Sequence, residues 1–419
     1  MMDVGPLSSA DAAWLHMDEP GNLMVINGLL RLTERADLGQ LRQRLAQSFS
    51  QHDRFNYQAV DPAWGGPRWQ SSGQALDLSY HVVHTQVENE TQLLQLVGQL
   101  MAQPLDRSRP LWQVHIVDLP DTTAIIIRLH HALGDGVAMM HVLSTLTDAP
   151  METYQVPHLR ALPSVFRQAR AVGRAVFDLV TQVLLRSEPA TPLKGPLSLP
   201  KRAAVSRSLP LASVKSIEKL VGCTVNDVLL ACLAGGLRDY LGRRSYPLKP
   251  GLKLRVVMPV DLRSPGDDWL GNRFGLAFVS LPVGQADPRQ RLLEIQEHVA
   301  HLKRTPHAQV IYAILKLAGW LPRKWELALV RLFGSRATAV ATNVPGPKNR
   351  LAIVGHPVGD LMFWVPRSGR LGLGISIISY AGEVRVGIAS DPGLIEDPQD
   401  LVDSFHKSFE ELEGLLKPN

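Results

Sequence analysis

The chain has 419 residues, 45% of them apolar, and carries 44 basic against 39 acidic side chains for a net charge of +5. That length exceeds one ordinary core and predicts two domains of about 150 to 200 residues, while two cysteines without metal or redox spacing, Cys223 and Cys232, read as core filler in a reduced, cytoplasmic compartment. No apolar run reaches the roughly 18 residues of a bilayer span and no secretory signal is expected at the Asp3-containing start, which leaves a cytosolic or peripherally bound protein.

In chain order, a short helix is expected over residues 10–17, then a turn at Pro20-Gly21-Asn22 and a strand from Met24 to Leu32. A helix from Asp37 to Phe49 puts Leu38, Leu41 and Leu45 on one face. A glycine-rich loop at Trp64-Gly65-Gly66-Pro67 leads to a strand near Tyr80 to Val83 and a helix from Glu90 to Met101. Pro110-Leu111-Trp112 opens a strand to Val117 that pairs as a hairpin with Ala124 to Leu129 across Pro120-Asp121. The helix after Gly136 carries Met139, Met140, Leu143 and Leu146.

The composition then changes. Residues 150–208 read as a crossover between domain 1–149 and domain 209–419, and the stretch 151–210 holds nine Lys or Arg against Glu152, Asp178 and Glu188. Nucleic acid is a poor partner for this charge, because no recognised motif or interleaved aromatic residues accompany it. A lipid surface or the phosphates of coenzyme A fit better. Within the crossover a helix from Leu162 to Leu185 gathers its apolar residues in an arc of roughly 160° opposite Arg167, Arg170 and Arg174. Two readings stay open: a helix packed on a domain, or one lying on a membrane.

In the second domain Thr224 caps a helix running to about Tyr240, with Asn226 and Asp227 in its first turn. A strand from Lys253 to Pro259 runs into Asp261-Leu262-Arg263 and then Gly271-Asn272-Arg273-Phe274-Gly275, a loop suited to lining a cleft. Residues 307–333 form two helices broken at Pro322, where Trp320 and Trp325 beside Lys316, Arg323 and Lys324 fit a lipid interface or a domain edge. Strands at Leu361 to Pro366, Gly372 to Tyr380 and Glu383 to Ala389 make a sheet, and a helix from Pro398 to Leu416 follows.

The stretch 122–137 organises the rest. A β-branched run to Ile127 ends at His130-His131-Ala132-Leu133-Gly134-Asp135-Gly136, so the reactive groups sit where a strand stops. Neighbouring strand residues point to opposite faces, so one histidine works and the other supports. Asp135 can turn back to the imidazole or pin the turn elsewhere. Divergent histidines and the lack of a third ligand at useful spacing leave no metal site.

This string resembles the HHxxxDG signature of the CoA-dependent acyltransferase superfamily. Together with Pro6-Leu7-Ser8-Ser9-Ala10-Asp11, Arg109-Pro110-Leu111-Trp112, Val225-Asn226-Asp227 and Thr342-Asn343-Val344-Pro345-Gly346-Pro347, it is similar to the bacterial wax ester synthase/diacylglycerol acyltransferase family. The resemblance implies an α+β fold of two chloramphenicol-acetyltransferase-like domains, each a mixed sheet flanked by helices, with the site at their interface. It implies His131 as general base without a covalent intermediate, His130 as its supporting neighbour, and Asp135 paired with an arginine, for which Arg263 is chosen over Arg255 and Arg273. Gly136 is expected to admit substrate, Thr342 or Asn343 to stabilise the oxyanion, and Asn226-Asp227 to fix the domain interface.

The chemistry suits those groups. A neutral imidazole with an unperturbed pKa near 6.5 can take an alcohol proton and return it to the departing thiol, and one oxyanion donor contributes about 3 kcal/mol. Burying a sixteen-carbon tail contributes on the order of 12 kcal/mol before ordering costs. The expected substrates are long-chain acyl-CoA, bound only as co-substrate with no permanent cofactor, and a fatty alcohol or diacylglycerol, at a peripheral membrane or lipid-droplet surface. Two other readings are a condensation-type acyltransferase using a carrier-protein thioester, disfavoured by the lack of an attached carrier domain, and a catalytically silent lipid-binding protein, disfavoured by the intact His131 and Asp135.

Overall fold

The computed structural model describes residues 2–62, 66–71, 76–149, 151, 173, 187–263, 272–305, 307–318, 323–367 and 369–416. The helix expected over 162–185 lies outside them but for Gly173, as do Trp64, Gly65, Gly271, Trp320 and Pro322.

The chain starts with strand β1 (Met2–Pro6), helix α1 (Ser9–His16), strand β2 (Val25–Leu32) and helix α2 (Leu38–Ser50). Strands β3 (Tyr57–Val60) and β4 (Arg68–Ser71) close a small sheet with β1. Helix α3 (Leu78–His81) takes Tyr80 and His81, the first half of the strand expected from Tyr80 to Val83, because Asp77 accepts a hydrogen bond from the Ser79 amide and caps a helical turn. Then follow β5 (Val82–Gln86), α4 (Glu90–Met101), the hairpin β6 (Trp112–Asp118) and β7 (Thr123–His130), and helix α5 (Gly136–Leu146). All eight residues of β7, Arg128 included, are buried, as in a strand covered on both faces.

Next come β8 (Arg202–Val205), a strand inside the stretch expected as a crossover, then β9 (Leu209–Pro210), α6 (Leu211–Val221) and α7 (Val225–Arg243). They are followed by β10 (Leu254–Asp261), β11 (Phe274–Leu281), α8 (Pro288–Arg304), α9 (His307–Ala318) and α10 (Arg323–Ser335). The chain ends through β12 (Ala339–Pro345), β13 (Ala352–Ile353), β14 (His356–Trp364), β15 (Leu373–Tyr380), β16 (Glu383–Ser390) and α11 (Gln399–Glu413). Phe274 and Gly275, expected in a loop, begin β11, and Gly275 admits the backbone of α9: an added Cβ would lie 2.1 Å from the Ala308 carbonyl oxygen.

Two mixed sheets result. One has the order β13-β14-β2-β7-β6-β5 and the other β11-β10-β12-β15-β16-β8 with β9 beside β16. Strand β14 corrects the sequence reading. It does not pair with β15 or β16 but crosses to the first sheet, with Leu361 opposite Leu30 and Phe363 opposite Gly28. Its alternation identifies a strand, yet a strand's partner is a non-local choice that alternation does not encode. Each sheet has its own apolar core, and Cys232 is buried in the second. Among the described residues no single helix is long and apolar enough to cross a membrane.

Candidate active site

The end of β7 is tied on both sides. The His130 amide donates to the Leu111 carbonyl and the His131 amide to the Met24 carbonyl. Pro110-Leu111-Trp112 thus serves the site through its backbone, while the Trp112 ring is wholly buried, stacked 4.4 Å from Phe49 and donating its indole N–H to the Phe55 carbonyl. Beyond His130 the backbone tightens into a single 3₁₀ turn over His131–Leu133, and the two imidazoles part company. His130 Nδ1 accepts from the Ala132 amide, which leaves its Nε2–H facing Asp18 Oδ2 at 3.5 Å. Burial pushes the Asp18 carboxyl up, but His130, the Met24 amide and Arg107 outweigh it and hold the group below its ordinary value. His130 is therefore a brace, 2% exposed.

His131 is held from the second sheet. Asn272 donates from Nδ2 to Asp11 Oδ1 at 2.7 Å and to the His131 carbonyl at 2.8 Å, both acceptors without a proton of their own. With its donors so committed, the Asn272 carbonyl oxygen, 2.8 Å from His131 Nδ1, must accept. The imidazole is thereby fixed as the Nδ1–H tautomer, and Nε2 carries the free lone pair. Trp14 stacks on the ring at 4.0 Å and 14°, and Phe274 tilts against it at 5.7 Å. Burial lowers the imidazole to about 4, against the upward pull of hydrogen bonds including that of Asn272, so it is neutral at pH 7. The residue is buried, 8% exposed.

Asp135 takes the second of its two expected courses and pins the turn. Its carboxylate faces Arg263 Nη2 at 2.8 Å, accepts the Arg273 amide at 3.1 Å, and caps α5 by accepting the Ala138 amide at 3.2 Å. Of the three arginines weighed, Arg263 makes the ion pair, Arg273 contributes its backbone, and Arg255 pairs with Glu188. Burial pushes the Asp135 carboxyl up, opposed by Arg263. Through the Arg273 amide, Asp135 fixes the loop whose Asn272 holds His131.

Thr342 and Asn343 lie on β12, where alternation separates them. Val344 lines a cavity at Gly136, and Thr342, two residues back, shares its face and is buried. Asn343 turns the other way, donating to Asn226 Oδ1 at 3.2 Å. Asp227 completes a capping box with Thr224. Among the described residues the bond between Asn343 and Asn226 joins α7 to a strand in the second half of the chain, and the hydrogen bonds of Asp227 stay within the cap of α7.

From Gly136 an apolar cavity runs between α5 and the first sheet as far as Phe49 and Leu146. A Cβ on Gly136 would meet only Val344 Cγ2, at 4.0 Å, so this position is open towards the cavity. Among the described residues no cluster of three His, Cys, Asp or Glu gathers to hold a metal. Sequence reading missed Trp14 and Asp18, and named Phe274 only as part of a loop suited to lining a cleft. The spacing of Asp11 and Trp14, three apart on one helix face, was the available signal for a paired role.

Residues 7–187 match the wax ester synthase/diacylglycerol acyltransferase catalytic domain, and residues 270–413 match the WS/DGAT C-terminal domain. A Mycobacterium tuberculosis protein named probable diacylglycerol O-acyltransferase is 30% identical over 98% of this chain and 96% of its own. The chain belongs to the wax ester synthase/diacylglycerol acyltransferase family. The enzyme is also similar to wax ester synthase/diacylglycerol acyltransferase 7 of Arabidopsis thaliana, 26% identical over 89% of this chain and 90% of the relative. Its fold is that of a solved wax ester synthase/diacylglycerol acyltransferase from Marinobacter aquaeolei VT8, with a TM-score of 0.72 at 23% identity over 98% of this chain and 99% of that one. It also resembles the first condensation domain of the CDA synthetase, with a TM-score of 0.64 at 16% identity over 98% and 96% of the two chains. The expected α+β architecture with mixed sheets flanked by helices is the one observed.

Proposed function

We propose that this acyltransferase moves a long acyl chain from coenzyme A to the hydroxyl of a fatty alcohol or diacylglycerol, with His131 as the base. One observation carries the reading: an imidazole kept neutral, its proton held on Nδ1 by Asn272, in the same motif as Gly136, which lines an apolar cavity. Nε2 takes the hydroxyl proton as the oxygen attacks the thioester carbon. The Thr342 hydroxyl is the donor proposed for the oxyanion, in preference to Asn343, which is occupied by Asn226. The tetrahedral intermediate then collapses, the carbon–sulfur bond breaks, and the imidazolium returns the proton to the leaving sulfur. No bond to the protein forms. Trp14, stacked face to face, favours the imidazolium in passing. The cavity, lined by apolar side chains, takes the hydrocarbon chain.

His131→Ala is expected to lower thiol release from palmitoyl-CoA with hexadecanol at least about a hundredfold while the protein stays folded. An unchanged rate overturns the assignment of the base. The basic stretch 151–210 is proposed to hold the enzyme on an anionic lipid surface. Flotation with phosphatidylserine vesicles and not with neutral ones supports this; equal recovery with both refutes it.

A further inference from the structure

We propose that Gly28 sets the chain lengths the enzyme accepts, by leaving a gap in the cavity floor for the distal part of a substrate's hydrocarbon chain. This rests on the reading that the cavity holds such a chain. Residues paired across strands share a face, so the floor is laid in rows. Ile26 with Leu129 lies nearest the histidines, Ile127-Gly28-Phe363 comes next, and Leu30 with Leu361 lies beyond. The middle row lacks its central side chain.

Nothing in the protein itself requires that gap. Gly28 is not among the glycines of positive φ, and a Cβ there would meet nothing nearer than Ile127 Cβ and its carbonyl oxygen, both at 3.9 Å. A glycine inside a strand weakens it, and where neither strain nor crowding explains one, close approach of a ligand does. The α5 side of the cavity presents Met139 and Met140, whose unbranched thioethers adapt to a chain lying against them.

The depth is readable from the strand register. Val25 pairs with His130, and Gly28 lies three residues further along β2, so its row is about 10 Å from the motif at roughly 3.3 Å per residue. An extended chain advances about 1.2 Å per bond, taking roughly 3.5 Å for three backbone bonds, so a carbonyl held at the histidines puts about its eighth or ninth carbon at Gly28. Octanoyl chains stop there; palmitoyl chains pass it.

The test measures kcat/KM by thiol release for wild type, Gly28→Ala and Gly28→Val. One arm runs acyl-CoA from hexanoyl to stearoyl against hexadecanol, and the other runs alcohols from hexanol to octadecanol against palmitoyl-CoA. In one arm Gly28→Val is expected to lower the preference for sixteen carbons over eight at least about tenfold, with a smaller shift for Gly28→Ala, and that arm names the substrate whose chain fills the cavity. If Gly28→Val fails to fold, Gly28→Ala, whose methyl fits the open space, carries the test through its smaller shift in the same direction. Length profiles parallel to wild type in both arms overturn the role of Gly28. Leu143→Trp, in the opposite wall, separates the two levels: a shift by it alone leaves the cavity reading standing, and no shift by any variant removes that reading as well.

Discussion

Asn272→Ala is expected to disable the enzyme without touching the base. The substitution removes the acceptor of the His131 Nδ1–H, the donor to the His131 carbonyl and the link to Asp11, at 2.8, 2.8 and 2.7 Å. Leaving the buried Nδ1–H without an acceptor costs about 1–3 kcal/mol, and the same energy ceases to favour the tautomer that presents a lone pair at Nε2. At about 1.4 kcal/mol per factor of ten, kcat should fall roughly ten- to hundredfold. Asp11 keeps its ion pair with Arg54 at 3.1 Å, so no buried charge is stranded and the fold should survive. The pH profile separates this cause from protonation. Burial already holds the imidazole near 4, and the Asn272 bond pulls it up, so losing that bond moves it further down. Wild type should therefore stay active from pH 8 to about pH 5 and lose activity only as pH falls towards 4. The deficit of Asn272→Ala should be the same at pH 6 and pH 8. A loss under about threefold, a deficit relieved at pH 8, or a wild-type acid limb near 6.5 would refute the reasoning.

Arg263→Ala is expected to destabilise the protein by about 3–5 kcal/mol in urea unfolding, since it strands the Asp135 carboxylate, buried at 5% exposure. Burial raises the Asp135 carboxyl in the folded state, so protonation favours that state and stability falls as pH rises through the raised value. Without Arg263 this dependence steepens, and the loss should be larger at pH 8 than at pH 5; equal losses would show that the pair is not buried as described. The expectations for His131→Ala, for Gly28→Val and for vesicle flotation are set out above with their assays.

Much of the site follows from local chemistry. The β-branched run to Ile127 makes a buried strand that stops at His130, and alternation predicts two diverging histidines, a divergence completed by the 3₁₀ turn that begins at His131. The Thr224 cap and the apolar faces of the helices at 38–50 and 90–101 are likewise set by neighbours a few residues away. What acts on His131 is not. Asn272 lies 141 residues from it and Asp11 lies 261 from Asn272, and a hydrogen bond between such positions has no periodicity to read. Strand β14 poses the same difficulty, because its pattern fixes which side chains face inward and not which sheet they face. By itself the sequence determines that an imidazole stands at a strand's end beside a turn of glycines. Only the packing of one half of the chain on the other decides which nitrogen holds the proton and where a fatty chain has room, since both depend on contacts between residues remote in sequence.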